Sequence, residues 1–181
     1  MDNDAKQRLG LVHIYYGGGK GKTTAAVGQA VRAAGYGYRV LFFQFLKDNR
    51  SSERKILSGL PQVDCIDGPD EVCFTFQMTE AEKEKRRQFY QEKLEDIQDR
   101  LQSGRYDMAV LDESIYAVKK GLLAEEQLLH FLGLRPKHVE VVLTGNVPGQ
   151  KLLTAADYVT EMKLEKHPFS RGIKARDGIE R

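Results

Sequence analysis

The run Tyr16-Gly-Gly-Gly-Lys-Gly-Lys-Thr-Thr24 has the residue types and spacing of a phosphate cradle. Gly17, Gly18, Gly19 and Gly21 carry no Cβ, so the backbone can turn its N–H groups inward around phosphate oxygens. Lys22 sets an ammonium among those oxygens, and Thr23 offers a hydroxyl to Mg²⁺. With Lys20 and Thr24 these residues form the expected nucleotide-contacting set. The motif is a P-loop whose opening glycine position is taken by Tyr16. A dinucleotide fingerprint is excluded, because Lys22 stands where its third glycine belongs.

A second reactive pair is Asp112-Glu113, directly after the apolar Met108-Ala-Val-Leu111. In P-loop proteins a carboxylate at the end of an apolar strand holds Mg²⁺, directly or through water. Thr23 and Asp112 are therefore the expected metal residues. Lys22, Thr23, Asp112 and Glu113 form the expected catalytic group. His13 sits inside an apolar run and is expected to be packed, while His130 and His138 are expected at the surface. Cys65 and Cys73 match no zinc spacing and are expected as reduced thiols.

These groups need a scaffold. Residues 11–16 read as a buried strand ending at the glycines, and residues 22–34 as an alanine-rich helix stopped by Gly35. Residues 39–46 are a second β-prone run. Strand, loop, helix and strand in that order imply a parallel sheet with a right-handed crossover. Residues 63–66, 106–111, 139–143 and 158–164 supply further short strands, the last at a sheet edge. Thr79 and Glu82 make a capping box for an amphipathic helix that runs to Leu101. Tyr90, Leu94, Ile97 and Leu101 share one of its faces, and Gly104 marks its end. The expected fold class is α/β: a RecA-like P-loop domain with a mostly parallel central sheet flanked by helices.

The bulk numbers agree with such a domain. A chain of 181 residues, 41% hydrophobic and 30% charged, can bury one continuous core. No linker divides it, so residues 1–181 read as a single nucleotide-binding domain, with residues 1–10 expected to be flexible. The net charge of +2 and the lack of a Lys/Arg block argue against a nucleic-acid groove. No run reaches transmembrane length, and the charged start of the chain lacks the apolar stretch of a signal peptide. A cytoplasmic protein without membrane partners is expected.

Several segments together resemble the P-loop ATP:corrinoid (cob(I)alamin or cob(I)yrinic acid a,c-diamide) adenosyltransferases. They are Tyr15 to Ala26, Phe43-Gln-Phe-Leu-Lys47, Phe74-Thr-Phe76, and Tyr106 to Glu113 with Tyr116-Ala117. Ala156 to Met162, Lys166-His-Pro-Phe169 and Gly178-Ile-Glu180 complete the series, in one order over residues 11–180. Departures are Thr144-Gly145-Asn146, where the family carries Thr-Gly-Arg, and Phe76, where it carries Trp. The resemblance implies transfer of the 5′-deoxyadenosyl group of ATP to Co(I) of a corrinoid, with release of triphosphate. It implies Mg²⁺, a flavin-type reductant protein and a homodimer. It also adds Lys47, Asn146 and His167 to the nucleotide- or corrinoid-contacting residues. Phe74 and Phe76 become an aromatic wedge that keeps an axial ligand off cobalt. On spacing alone, Phe-x-Phe reads instead as half-buried strand. Two other readings stand beside this one: a P-loop ATPase or phosphotransferase, and a non-catalytic nucleotide- or corrinoid-binding relative.

Overall fold

The computed structural model describes residues 8–180. Its elements are β1 (Val12–Tyr16), α1 (Lys22–Tyr36), β2 (Val40–Gln44), α2 (Ser52–Leu57), β3 (Val63–Cys65) and α3 (Glu80–Gln102). They continue with β4 (Met108–Asp112), α4 (Ser114–Lys119), α5 (Glu125–Leu134), β5 (Glu140–Thr144), α6 (Gln150–Ala155) and β6 (Tyr158–Glu161). The strands form one sheet in the order β3-β2-β4-β5-β1-β6. Every pairing is parallel, so the sheet is wholly rather than mostly parallel. β6 is the edge strand expected, though it ends at Glu161 and not at Leu164.

Strand alternation distributes the core to the two faces of the sheet. Phe43, Leu111 and Leu143 pack with Tyr90, Leu94, Ile97 and Leu101 of α3 and with Leu128 and Phe131 of α5. Phe42, Val110 and Val142 face the other way, onto Ala26, Ala30, Ala33 and Ala34 of α1. Small alanines let α1 lie close to the sheet, which fixes its first turn beside the strand ends. α1 runs past the expected stop at Gly35 and ends at Gly37, whose positive φ of 103° supplies the left-handed cap. α3 has the expected capping box at Thr79 and Glu82.

Two further expectations need correcting. Phe74 and Phe76 do not belong to a half-buried strand. Their segment is a short 3-10 turn, Thr75–Gln77, and the two rings are 70% and 80% exposed. Residues 1–7 of the stretch expected to be flexible lie outside the described residues, but Gly10 is tied down. Glu140, at the start of β5, accepts hydrogen bonds of 2.8 Å from the Gly10 and Leu11 amides through one carboxylate oxygen. Its other oxygen meets His13 Nε2 at 2.6 Å, and Tyr158 stacks on that imidazole at 4.6 Å. His13 is thus packed, as its apolar surroundings suggested. This staple joins the entry of β1 to β5 and β6, at the end of the sheet opposite the P-loop.

Burial acts to raise the Glu140 carboxyl pKa, but hydrogen bonds from His13 and the two amides outweigh it and hold it below the usual range. A depressed folded pKa stabilises the fold fully above the ordinary carboxylate range, and that contribution is lost as the pH falls below it. Glu140→Ala should cost about 1–3 kcal/mol at neutral pH, because it removes three hydrogen bonds to partly buried donors. Denaturant unfolding at neutral pH and at about pH 3 checks this: the gap between wild type and variant should shrink at the acid end.

Candidate active site

Three neighbouring strands end in polar residues: Gln44 on β2, Asp112 on β4 and Thr144 on β5. The sheet register sets Gln44 opposite Asp112, and the pairing of Leu111 with Leu143 brings Thr144 alongside. The first turn of α1 adds Thr23. Asp112 is fully buried, and its carboxylate accepts from four side chains. Thr23 Oγ1 donates at 2.9 Å and Thr144 Oγ1 at 2.7 Å, both to Oδ1. Gln44 Nε2 and Lys47 Nζ each donate to Oδ2 at 3.1 Å. A buried carboxylate is costly unless its lone pairs are met, and here they are.

The P-loop turns between β1 and α1. Gly17 has φ 115° and Gly21 φ 117°, a region closed to most residues with a Cβ. Phosphate is not the only reason for glycine here, because the chain leaving β6 crosses the loop. A Cβ on Gly17 would lie 2.5 Å from the Met162 carbonyl oxygen, and one on Gly19 2.5 Å from that of Lys163. The Gly19 amide donates to the Met162 carbonyl at 2.7 Å, and the Gly17 amide to the Asn146 carbonyl at 2.8 Å. Lys22 folds back so that its ammonium donates to the Gly19 carbonyl at 2.8 Å. Gly18, Lys20 and Thr24 are exposed around the loop.

Glu113 follows Asp112 in a left-handed conformation, φ 60°, and its amide donates to Thr144 Oγ1 at 2.7 Å. Burial raises its pKa first and the Asp112 charge second, while Lys47 and Lys22 pull it back. The only other non-glycine with positive φ among the described residues is Leu46, φ 57°, just before Lys47. Backbone strain of about 1–3 kcal/mol per residue therefore flanks both members of the Lys47–Asp112 pair. Lys47 also reaches Glu53 Oε1 at 3.2 Å. Burial works to lower the Lys47 pKa, but Asp112 and Glu53 outweigh it and the net shift is upward.

A cleft of about 1310 Å³ opens from this centre. Lys20, Thr23 and Thr24 line its floor, Lys47 and Glu53 one wall, and Ile179 and Glu180 of the C-terminal turn another. Val72 lines it too, two residues before Phe74. The Phe74 and Phe76 rings stack at 5.4 Å with an interplanar angle of 17°. Two exposed, mutually stacked rings form an apolar platform that follows the cleft residue Val72 in sequence.

Of the residues singled out from sequence, the structure brings Thr23, Lys47, Asp112 and Glu113 together, with Lys22 on the loop beside them. Asn146 enters through its backbone carbonyl alone. His167 stays apart: it heads the 3-10 turn Pro168–Arg171, where its Nδ1 accepts from the Phe169 amide at 3.2 Å. Sequence reasoning missed Gln44, Glu53 and Thr144 as partners of this centre. Gln44 and Thr144 did carry a signal, since each is a polar residue closing an apolar strand. Glu53, in a polar loop, carried none.

A family model described as ATP:corrinoid adenosyltransferase BtuR/CobO/CobP matches residues 8–181. The corrinoid adenosyltransferase CobA of Salmonella typhimurium is 35% identical, covering 97% of this chain and 88% of that protein. Corrinoid adenosyltransferases of Escherichia coli K12 and Pseudomonas aeruginosa are 34% and 32% identical, each over 97% of this chain and 88% and 86% of their own lengths. Among solved structures, a KaiC-like protein from Pyrococcus horikoshii OT3 superposes with a TM-score of 0.53 at 18% identity, covering 88% of this chain and 75% of that one. That likeness bears on the fold alone.

The contacts of Lys22 give a direct test of the loop. Lys22→Ala should weaken ATP binding by tenfold or more, the loss of a charge-assisted contact worth about 1.5–3 kcal/mol. Its thermal unfolding should stay near wild type, because the side chain makes a single, partly buried hydrogen bond to a carbonyl three residues away in its own loop. Equilibrium binding and a thermal melt read the two effects separately.

Proposed function

Since this chain belongs to the ATP:corrinoid adenosyltransferase family, we propose that it transfers the 5′-deoxyadenosyl group of ATP to Co(I) of a corrinoid and releases triphosphate. The observation that carries this reading is the cleft itself, which joins the P-loop residues Lys20, Thr23 and Thr24 to Lys47 and to Val72, two residues before the exposed Phe74. A triphosphate in the loop leaves its ribose directed along the cleft, where C5′ can meet a flat macrocycle. Co(I), the substrate's own metal, is the nucleophile. The C5′–oxygen bond breaks as the cobalt–carbon bond forms, and the triphosphate departs with the bonding electrons.

The chain's residues position and neutralise. Lys22 moves from the Gly19 carbonyl onto the phosphates and meets charge that grows as they leave. The loop and the cleft hold C5′ in line with cobalt, and that alignment replaces an entropic cost worth several kcal/mol. Mg²⁺ fits the site by one observation: the Thr23 hydroxyl donates its proton to Asp112, which leaves its lone pairs for a cation. Thr23 would hold the ion, with Asp112 orienting the hydroxyl and Glu113 next to it. When bound, the ion supplies further positive charge to the leaving triphosphate. Lys47 lies within the same cleft for a phosphate contact, and Asn146 ties the loop to β5 through its carbonyl. His167 is the weakest member of the set, because its ring is spent on its own turn.

Phe74 and Phe76 form the platform for the lower face of the corrin. Burying each ring against the macrocycle is worth about 1.5–3 kcal/mol, which offsets removal of the axial ligand from Co(II). A four-coordinate cobalt is then easier to reduce, and a flavin-type reductant protein is the proposed electron source. A cytoplasmic homodimer is the proposed working form. No helix among the described residues is long and apolar enough to cross a membrane.

One observation favours a second reading, ATP hydrolysis. Glu113, next to Asp112 and with its pKa raised chiefly by burial, offers a general base for water. Incubation with ATP, Mg²⁺ and chemically reduced cobalamin separates the two. The visible spectrum of adenosylcobalamin should develop, whereas phosphate release without that spectrum supports hydrolysis.

The platform has its own test in electron paramagnetic resonance of Co(II)cobalamin with protein and ATP. Wild type should show the four-coordinate signal, and Phe74→Ala or Phe76→Ala should restore the five-coordinate one. Both variants should still adenosylate pre-reduced Co(I). Retention of the four-coordinate signal in both variants contradicts the role given to the rings.

A further inference from the structure

Lys47 is bound in a way that a simple phosphate ligand does not require. Its ammonium bridges two carboxylates, 3.1 Å from Asp112 Oδ2 and 3.2 Å from Glu53 Oε1. Asp112 is fully buried, and its carboxylate already accepts from Thr23, Thr144 and Gln44. Lys47 is thus the one ionic partner among the four donors to a buried carboxylate. Thr23, the proposed metal residue, donates to both oxygens of the same group, at 2.9 and 3.2 Å. An ion on the Thr23 hydroxyl therefore arrives beside a carboxylate that a fixed cation already neutralises. Two cations so close repel, and the local dielectric is low.

The chain provides a second anchor for the displaced cation. Glu53 stands in the first turn of α2 and shares the Lys47 ammonium with Asp112. Gln44 Nε2 joins the two carboxylates, donating to Glu53 Oε1 at 2.7 Å and to Asp112 Oδ2 at 3.1 Å. Ser51 Oγ donates to Gln44 Oε1 at 2.6 Å and fixes the amide's orientation. Lys47 can therefore leave Asp112 without leaving an anion, and its side chain, 30% exposed, has room to move. The strained Leu46 backbone, pinned by the Tyr90 hydroxyl to the Leu46 amide at 2.8 Å, aims Lys47 at this pair.

We propose that Lys47 is an internal counter-cation that competes with the P-loop metal for Asp112, and that Glu53 is the positioning residue that receives Lys47 when the metal binds. In the empty protein Lys47 neutralises Asp112. In the loaded protein the ammonium shifts toward Glu53 and the cleft, where it also approaches the phosphates. The proposal deepens the reading of Thr23 and Asp112 as the metal site and rests on it. Its test uses no corrinoid and no adenosyl transfer, so a failure of that chemistry and a failure of this idea can be told apart.

The quantity to measure is the factor by which Mg²⁺ strengthens ATP binding, from calorimetry with Mg²⁺ and with chelator. It is compared among wild type, Lys47→Met, Glu53→Gln and the double variant. Removing the competing cation should raise the factor about fivefold or more, within the usual range of coupling between bound ligands. Glu53→Gln should lower it, because the displaced ammonium loses its anchor. In the Lys47→Met background Glu53→Gln should change nothing, since Glu53 acts through Lys47. A plain electrostatic field from Glu53 would lower the factor equally in both backgrounds, and that result overturns the proposal. An unchanged or lowered factor in Lys47→Met overturns it as well. Should Lys47→Met fail to fold, Lys47→Arg serves instead: its forked guanidinium grips Asp112 more firmly and should lower the factor. No change with arginine counts against the idea.

Discussion

The structure turns on one carboxylate. Asp112 closes a central strand, is wholly buried, and must have its lone pairs met by the protein. Thr23 from α1, Gln44 from β2, Thr144 from β5 and Lys47 from the loop after β2 meet that demand. These partners are far apart in sequence, so the requirement locks the first turn of α1 and three strand ends into one geometry. The P-loop is held between them. Its glycines accept both the chain crossing from β6 and the Asn146 carbonyl from the end of β5.

Polarity is kept to the ends of the central strands for a physical reason. Each central strand is an unbroken apolar run buried on both faces, as a parallel sheet demands. The first polar residue of a strand can only come where the helices leave the sheet uncovered. In three strands that residue joins one hydrogen-bonded cluster on Asp112. The opposite end is closed by Glu140, His13 and the amides of Gly10 and Leu11, which fix where β1 begins. The site end is left to open into a cleft, and the exposed rings of Phe74 and Phe76 follow its lining residue Val72 in sequence.

Much of this was legible in the sequence, because the strongest local signals coincide with the parts that matter. The glycine run, the alanine stripe of α1, the capping box at Thr79 and the four apolar runs each report a local rule. Boundaries were less legible: α1 passes Gly35 because nothing there opposes a helix, and it stops at Gly37 where the backbone turns left-handed. Phe-x-Phe misled on spacing alone, because i and i+2 share a face in a strand and nothing local in the sequence marks the 3-10 turn that forms here instead. The partners of Asp112 could not be read directly. Gln44 and Thr144 reach Asp112 through strand register, a long-range fact, and Glu53 joins them through Gln44 and Lys47 only because the chain after β2 folds back into α2. The short helices α2, α4, α5 and α6 left only weak periodicity.

The protein is built for the departure of an intact triphosphate, with its charges arranged around the leaving group and the nucleophile supplied by the substrate. Phosphorus nuclear magnetic resonance of a reaction with ATP, Mg²⁺ and Co(I)cobalamin tests this most directly. Triphosphate should accumulate in step with adenosylcobalamin, one for each cobalt alkylated. Accumulation of orthophosphate and ADP in its place would contradict the account, because it would mean that the P-loop cleaves the chain it is argued to release whole.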